Sequence, residues 1–210
     1  MLRSAGLNSR TSIERETLDL PTQAQAVIGA GRGALVEAMF GAGWLGWGLG
    51  EAKVFNGFTG PLFGFMTLLL PACSIYVLRR GRMLRRKYPA TGASTRTTLR
   101  WYLLVVLTEI VAVLLAMSLA NRLHRADLAT DWCAMVVGLH FFPLAKIFRA
   151  AHFVVLGTLM TLWCALCWTL FRSNALVISV SLGTGILLWG GCVFALLRAG
   201  RIARALSAAG

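Results

Sequence analysis

The sequence reads as an all-α protein, a polytopic transmembrane bundle of six helices with the N- and C-termini both in the cytoplasm. Three features carry that reading. Six apolar stretches are separated by polar segments, each close to the roughly 20 residues that a helix needs to cross a bilayer. Charged residues make up 14% of the 210-residue chain and hydrophobic ones 57%, against about 25% and 45–50% in soluble domains. Lysine and arginine gather in alternate connections, as topology signals do.

The first stretch runs from Gly33 to Gly50, short and rich in glycine. The second covers Gly57 to Leu78 and the third Trp101 to Ala120. The fourth extends from Thr130 to Phe148, the fifth from His152 to Phe171 and the sixth from Ala175 to Leu197. Only Arg149, Ala150 and Ala151 separate the fourth from the fifth. Taken as one helix, their roughly 40 residues would reach about 60 Å, twice the hydrocarbon thickness, so a tight hairpin is expected there.

Upstream, Asp19-Leu20-Pro21 has the form of a helix start, with proline in the first turn. Thr22 to Gly31 is then a short interfacial helix or a cytoplasmic extension of the first span. The remaining long connection, Arg79 to Arg100, reads as a basic cytoplasmic loop that turns at Pro89 and Gly92. The chain divides into a cytoplasmic tail (1–32), a six-helix membrane domain (33–200) and a second cytoplasmic tail (201–210).

Orientation follows from the basic residues. With the N-terminus inside, the inner segments hold four, eight, two and three Lys and Arg, or 17 of 21, and the outer loops hold four. Five or seven spans would split the basic segments between the two sides. Trp101, Tyr102 and Trp132 stand at span ends, where aromatic belts form. Trp44, Trp47, Trp163, Trp168 and Trp189 lie deeper, as packing residues or as an aromatic wall.

Composition also excludes classes of function. A mean hydropathy of +0.70 over 22.8 kDa leaves more apolar surface than a globule of that size can hide. The net charge of +13 sits between apolar runs and points to anionic lipid headgroups. Nucleic acid is not an expected partner, because no basic face alternates with stacking aromatics in a soluble domain. The residues from Met1 to Leu20 have no apolar core, so they are no cleavable signal, and Glu14, Glu16 and Asp19 argue against a transit peptide. All five cysteines fall inside apolar runs, where cysteine acts as a small hydrophobe. Cys164-Ala165-Leu166-Cys167 has the spacing of a metal or redox pair but no second ligand pair. Neither a metal nor a cofactor is expected. The alanine-, glycine- and arginine-rich composition suits a bacterial cytoplasmic membrane.

Ionisable residues at membrane depth are costly and mark function. Three stand out: Glu37, Glu109 and His140. Glu109 follows Arg100 by nine residues and His140 precedes Arg149 by nine. Their helices run in opposite directions, so both side chains sit about 13 Å from the cytoplasmic end, near the midplane. Helices joined by a short loop are usually neighbours, which makes a Glu109–His140 pair geometrically natural. Such a pair suits proton relay, cation binding or a polar ligand, or else a structural interhelical contact. Glu37 lies about 7–8 Å inside Arg32, within reach of the interface or of a basic partner there.

His140 belongs to the distinctive run Val136-Val137-Gly138-Leu139-His140-Phe141-Phe142-Pro143-Leu144-Ala145-Lys146. Pro143 removes a backbone hydrogen bond and frees the carbonyl of Leu139. The stretch Gly138 to Ala145 resembles a motif of small uncharacterised bacterial membrane proteins with several spans. That resemblance implies a site at this position without naming its chemistry.

Gly46-x-x-x-Gly50, Gly60-x-x-x-Gly64 and Gly183, Gly185, Gly190 and Gly191 are expected to make close helix crossings, within one chain or across a homodimer. Arg79, Arg80, Arg82, Arg85, Arg86 and Lys87 are expected to meet anionic lipid at the inner surface. The leading functional expectation is a small-molecule or ion transport or binding protein built around Glu109 and His140. A structural or regulatory membrane partner is the alternative. An intramembrane enzyme with His140 as base or metal ligand is the third reading, and no catalytic set accompanies it.

Overall fold

Lipid offers no hydrogen-bonding partner to a peptide group, so an apolar chain in a membrane must satisfy its backbone within itself. The computed structural model describes residues 5–89, 95–148 and 150–208. Among them it holds six helices and no strand: α1 (Ala5–Glu51), α2 (Thr59–Lys87), α3 (Thr95–Arg122), α4 (Ala126–Phe148), α5 (Ala151–Leu170) and α6 (Ser173–Ala208). Five of these, α2 to α6, are long and apolar enough to cross a membrane. By that measure the expected set of six apolar spans is one short. The exception is α1, where glycines, tryptophans and Glu37 dilute the aliphatic content.

The bundle is centred on α6, against which α1, α2, α4 and α5 all pack, α1 most extensively. At the edge stands α3, packed against α4. Pairing of α1 with α6 is antiparallel: Glu37 faces Gly191, Gly41 faces Leu188 and Trp189, Leu45 faces Gly185, and Gly48 faces Leu182. A Cβ on Gly185 would lie 2.4 Å from Cγ of Leu45 and 3.0 Å from the carbonyl oxygen of Gly41. Between α4 and α5, a Cβ on Gly157 would come within 2.7 Å of the Gly138 carbonyl oxygen. These crossings join backbone to backbone, as small residues permit when lipid supplies no hydrophobic drive between helices.

Two tryptophans seal further contacts onto α6, one from α5 and one toward α1. The Trp163 indole lies across Gly183 and donates to the carbonyl of Ser179 at 3.1 Å. Trp189 donates to the carbonyl of Ala38 at 3.1 Å. Both N–H groups find the partner that a buried indole requires.

Several boundaries differ from the sequence reading. Asp19-Leu20-Pro21 does not start a helix, since α1 begins at Ala5 and passes through Pro21. Proline deletes one backbone bond there, and tertiary packing begins alongside it. Arg79 to Lys87 do not form a loop either. They continue α2, which stops at Tyr88, because Pro89 disfavours the α conformation in the residue before it. The α2 extension packs with Leu20, Ala24 and Val27 of α1 and with Ala199, Ala203 and Leu206 of α6. A three-helix stub therefore projects from the end that carries most of the arginines. The turn expected at Gly92, and Arg149, lie outside the described residues.

Gly60 and Gly64 make no helix crossing. A Cβ at Gly64 would meet nothing within 4 Å, and one at Gly60 would touch only Phe55 of the preceding turn. Each of the three connections at the opposite end from the stub has one non-glycine residue in the left-handed region: Lys53, His124 and Ser173.

Gly185 and Gly190 stand five positions apart on α6 and supply a paired test. Gly185→Ala forces α1 away from α6 and is expected to cost about 1–3 kcal/mol, the range for overpacking, read as a lower melting temperature in detergent. Gly190→Ala meets open space and is expected to leave the melting temperature unchanged or slightly raised.

Candidate functional site

On α3, Tyr102, Val105, Glu109, Ala112, Ala116 and Ala120 recur at helical spacing and form its less exposed stripe. That stripe faces α4 and brings Glu109 to His140. Nδ1 of His140 lies 3.1 Å from Oε1 of Glu109, with the two side chains 14% and 16% exposed. Neither ring nitrogen meets hydrogen-bond geometry with a protein acceptor. The contact is thus an ion-pair distance with the oxygen out of line from the ring N–H. Nε2 is buried without a protein partner, so one nitrogen remains free to bind.

Through Pro143, α4 is continuous. Having no N–H, Pro143 leaves the Leu139 carbonyl without its usual helical donor. Leu139, Phe142, Pro143 and Lys146 all lie on the exposed flank of α4. The ring of His140 stacks on Phe141, which stacks in turn on Phe153 of α5. The pair thus sits between the aromatic core of α4 and α5 on one side and the edge helix on the other.

No protein-family model, curated protein or solved structure matches this chain. The site has to be read from its own geometry.

Glu37 is turned into the bundle, and no basic side chain forms an ion pair with it among the described residues. It is 2% exposed, and neither carboxyl oxygen has a protein partner. A Cβ on Gly191 would lie 3.1 Å from Oε2 of Glu37 and 3.1 Å from Leu156, which sets the carboxyl in the seam of α1, α5 and α6. Its helical phase explains the burial. Glu37 shares a stripe with Ala34, Ala38, Gly41 and Leu45, and that stripe is the face turned to α6.

Asp131 escaped the sequence reading. It is fully buried in α4, with both oxygens lacking a protein partner. One signal pointed to it: Asp131 is in phase with Ala134, Gly138, Phe141 and Ala145, the buried stripe of α4.

Among the described residues, no three His, Cys, Asp or Glu side chains gather as metal ligands. His124 lies in the α3–α4 turn, with a left-handed backbone. His152 stands at the start of α5 beside Phe153 and Phe194.

The two embedded glutamates differ in a way that mutation reads directly. Glu37→Gln removes an ionisable group that has no partner and is expected to hold or raise the melting temperature in detergent. Glu109→Gln weakens an interhelical pair and is expected to cost about 1 kcal/mol. A clear loss in Glu37→Gln would show that its carboxylate has a partner after all.

Proposed function

We propose that this chain is a multi-pass protein of the bacterial cytoplasmic membrane that binds or moves a proton, small cation or small polar solute at the Glu109–His140 pair. The observation that carries the reading is the 3.1 Å approach of Nδ1 to Oε1, deep in apolar helices, with Nε2 left free. A carboxylate beside an imidazole shares protons with it, since each favours the charged form of the other. Groups so costly to embed are kept where they handle protons, ions or polar ligands. The pair is neither sealed nor open, as a site that loads and unloads requires. The resemblance of Gly138–Ala145 to a recurring membrane-protein motif falls on the same turn.

Six crossings and inner termini fit this reading better than five. Residues 37 to 48 of α1 lie antiparallel to residues 182 to 191 of α6, the middle of that helix's apolar run. Whatever thickness α6 crosses there, α1 crosses beside it. An even count also places Arg32, the α2 arginines and Arg198, Arg201 and Arg204 at one end of the bundle. Arg79, Arg80 and Arg82 then meet anionic headgroups, each contributing about 1 kcal/mol, and Arg85, Arg86 and Lys87 stand further along the stub.

A second reading has its own observation. His140–Glu109 is the one ion pair between helices among the described residues, and it joins α3 to the bundle. The pair would then be a clamp in a structural or regulatory membrane protein.

Reconstitution in liposomes separates the two. With a pH-sensitive dye inside, the wild-type protein is expected to pass protons, or a cation in exchange for them, and Glu109→Gln and His140→Ala to lose at least tenfold in rate while remaining folded. Equal rates in both variants and wild type would remove the transport reading and leave the clamp.

A further inference from the structure

At the arginine-rich end of the bundle, the α5–α6 pair gathers basic groups that the Glu109–His140 site does not use. His152 stands in the first turn of α5, and its ring centroid lies 6.2 Å from that of Phe194 on α6. Arg198 follows Phe194 by one helical turn, toward the end of α6, and its charge reaches the His152 ring. Helix α5 adds a third positive feature. Its N-cap, Ala150, makes no side-chain hydrogen bond, so no cap side chain covers the first backbone N–H groups or the positive end of the helix dipole.

No acid offsets this charge. Among the described residues, Arg198 forms no ion pair and Nδ1 of His152 has no protein partner. Glu37 faces Gly191, seven residues before Arg198 and so about 10 Å deeper by helical rise. Asp131 lies near the other end of α4. Beside the basic group the surface is apolar and open. On α6, Ile186, Gly190 and Phe194 recur at four-residue spacing, and all three are exposed. A Cβ on Gly190 would meet nothing within 4 Å, which leaves a gap between two large side chains. On α5, Val155 and Leu159 are exposed on the flank next to His152. Leu156 beside Gly191 and Trp163 across Gly183 mark where α5 meets α6, so the exposed rows border that seam on its lipid side.

We infer that the seam holds an anionic phospholipid, with its phosphate at His152, Arg198 and the start of α5 and an acyl chain along the gap at Gly190. A guanidinium and an imidazole N–H both donate to phosphate oxygens, and the open start of a helix receives phosphate in the same way. Basic pockets between membrane helices take lipid headgroups for these reasons. A free phosphate would use the charges and leave the apolar gap uncovered, whereas a lipid uses both. The α2 arginines meet headgroups of the leaflet in general; this site selects one molecule and seats it between two helices. It does not rest on the reading of Glu109 and His140.

The test is thermal unfolding of the purified full-length chain in dodecyl maltoside, titrated with dioleoyl phosphatidylglycerol, dioleoyl phosphatidylcholine or inorganic phosphate. Phosphatidylglycerol is expected to give a saturable rise in melting temperature, as a ligand of the folded state alone produces, and the other two to give none. Arg198→Gln and His152→Asn should each shift half-saturation upward by about tenfold, the loss of one charge-assisted hydrogen bond. Arg204→Gln removes the same charge six residues further along α6 and should keep the wild-type response. The inference is overturned by a melting temperature indifferent to phosphatidylglycerol, or by an undiminished response in either Arg198→Gln or His152→Asn. An equal rise with inorganic phosphate would overturn it in favour of a free anion, and an equal rise with phosphatidylcholine in favour of apolar contact alone. An equal loss in Arg204→Gln would overturn it in favour of diffuse charge.

Discussion

The close antiparallel contact of α1 with α6 is what the rest of the structure depends on. It is made of missing side chains: Gly41, Gly48, Gly185 and Gly191 let the two helices approach until ordinary side chains meet backbone. In lipid that approach is the main source of attraction, since leaving the hydrocarbon gains a helix little. Once α1 and α6 are joined, their lengths match past the apolar region and the C-terminal turns of α2 pack onto both. The contact also decides where α1 lies. Its glycines and Glu37 make it the least lipid-like of the six helices, and it is also the helix most extensively packed on α6.

Much of this was legible in the chain. The apolar stretches and the basic connections alternate because lipid thickness and positive charge act on every span alike. The Glu109–His140 pairing was legible for a related reason: equal distances from arginines at the same face set equal depth, and a short connection makes neighbours. Helix ends were less so. Arg79 to Lys87 read as a loop because charge density looks alike in a loop and in a helix that leaves the membrane. The decision lay in Pro89 and in partners on α1 and α6 that sequence spacing does not reveal. Gly60 and Gly64 show the converse, a crossing pattern without a crossing, since spacing states what two helices can do and not which faces meet.

Depth and phase explain the misreading of Glu37 and the silence about Asp131. Both lie near span ends, where a carboxylate is expected to reach water. Depth alone therefore gave Glu37 an interface and gave Asp131 nothing notable. Helical phase overrides it: each acid falls on its helix's small-residue stripe, and that stripe turns to the bundle interior. A carboxyl four or five residues inside a span is exposed on one phase and fully buried on another. Ordering candidates by phase against the small-residue stripe, before depth, would have put Asp131 beside His140.

Phase also separates the roles of the embedded acids. Glu109 looks inward from the edge helix α3 and meets an imidazole on α4, a partner whose charge is set by protonation. Glu37 and Asp131 face the bundle interior and meet no base among the described residues. An unpaired carboxylate is costly to keep ionised in an apolar seam. Glu37 is wedged between Gly191 and Leu156. Asp131 is fully buried one turn from Ala134, on the stripe of α4 that faces the bundle. The same side-chain chemistry thus meets different surroundings in one membrane domain, and the helix face that carries each carboxyl decides which.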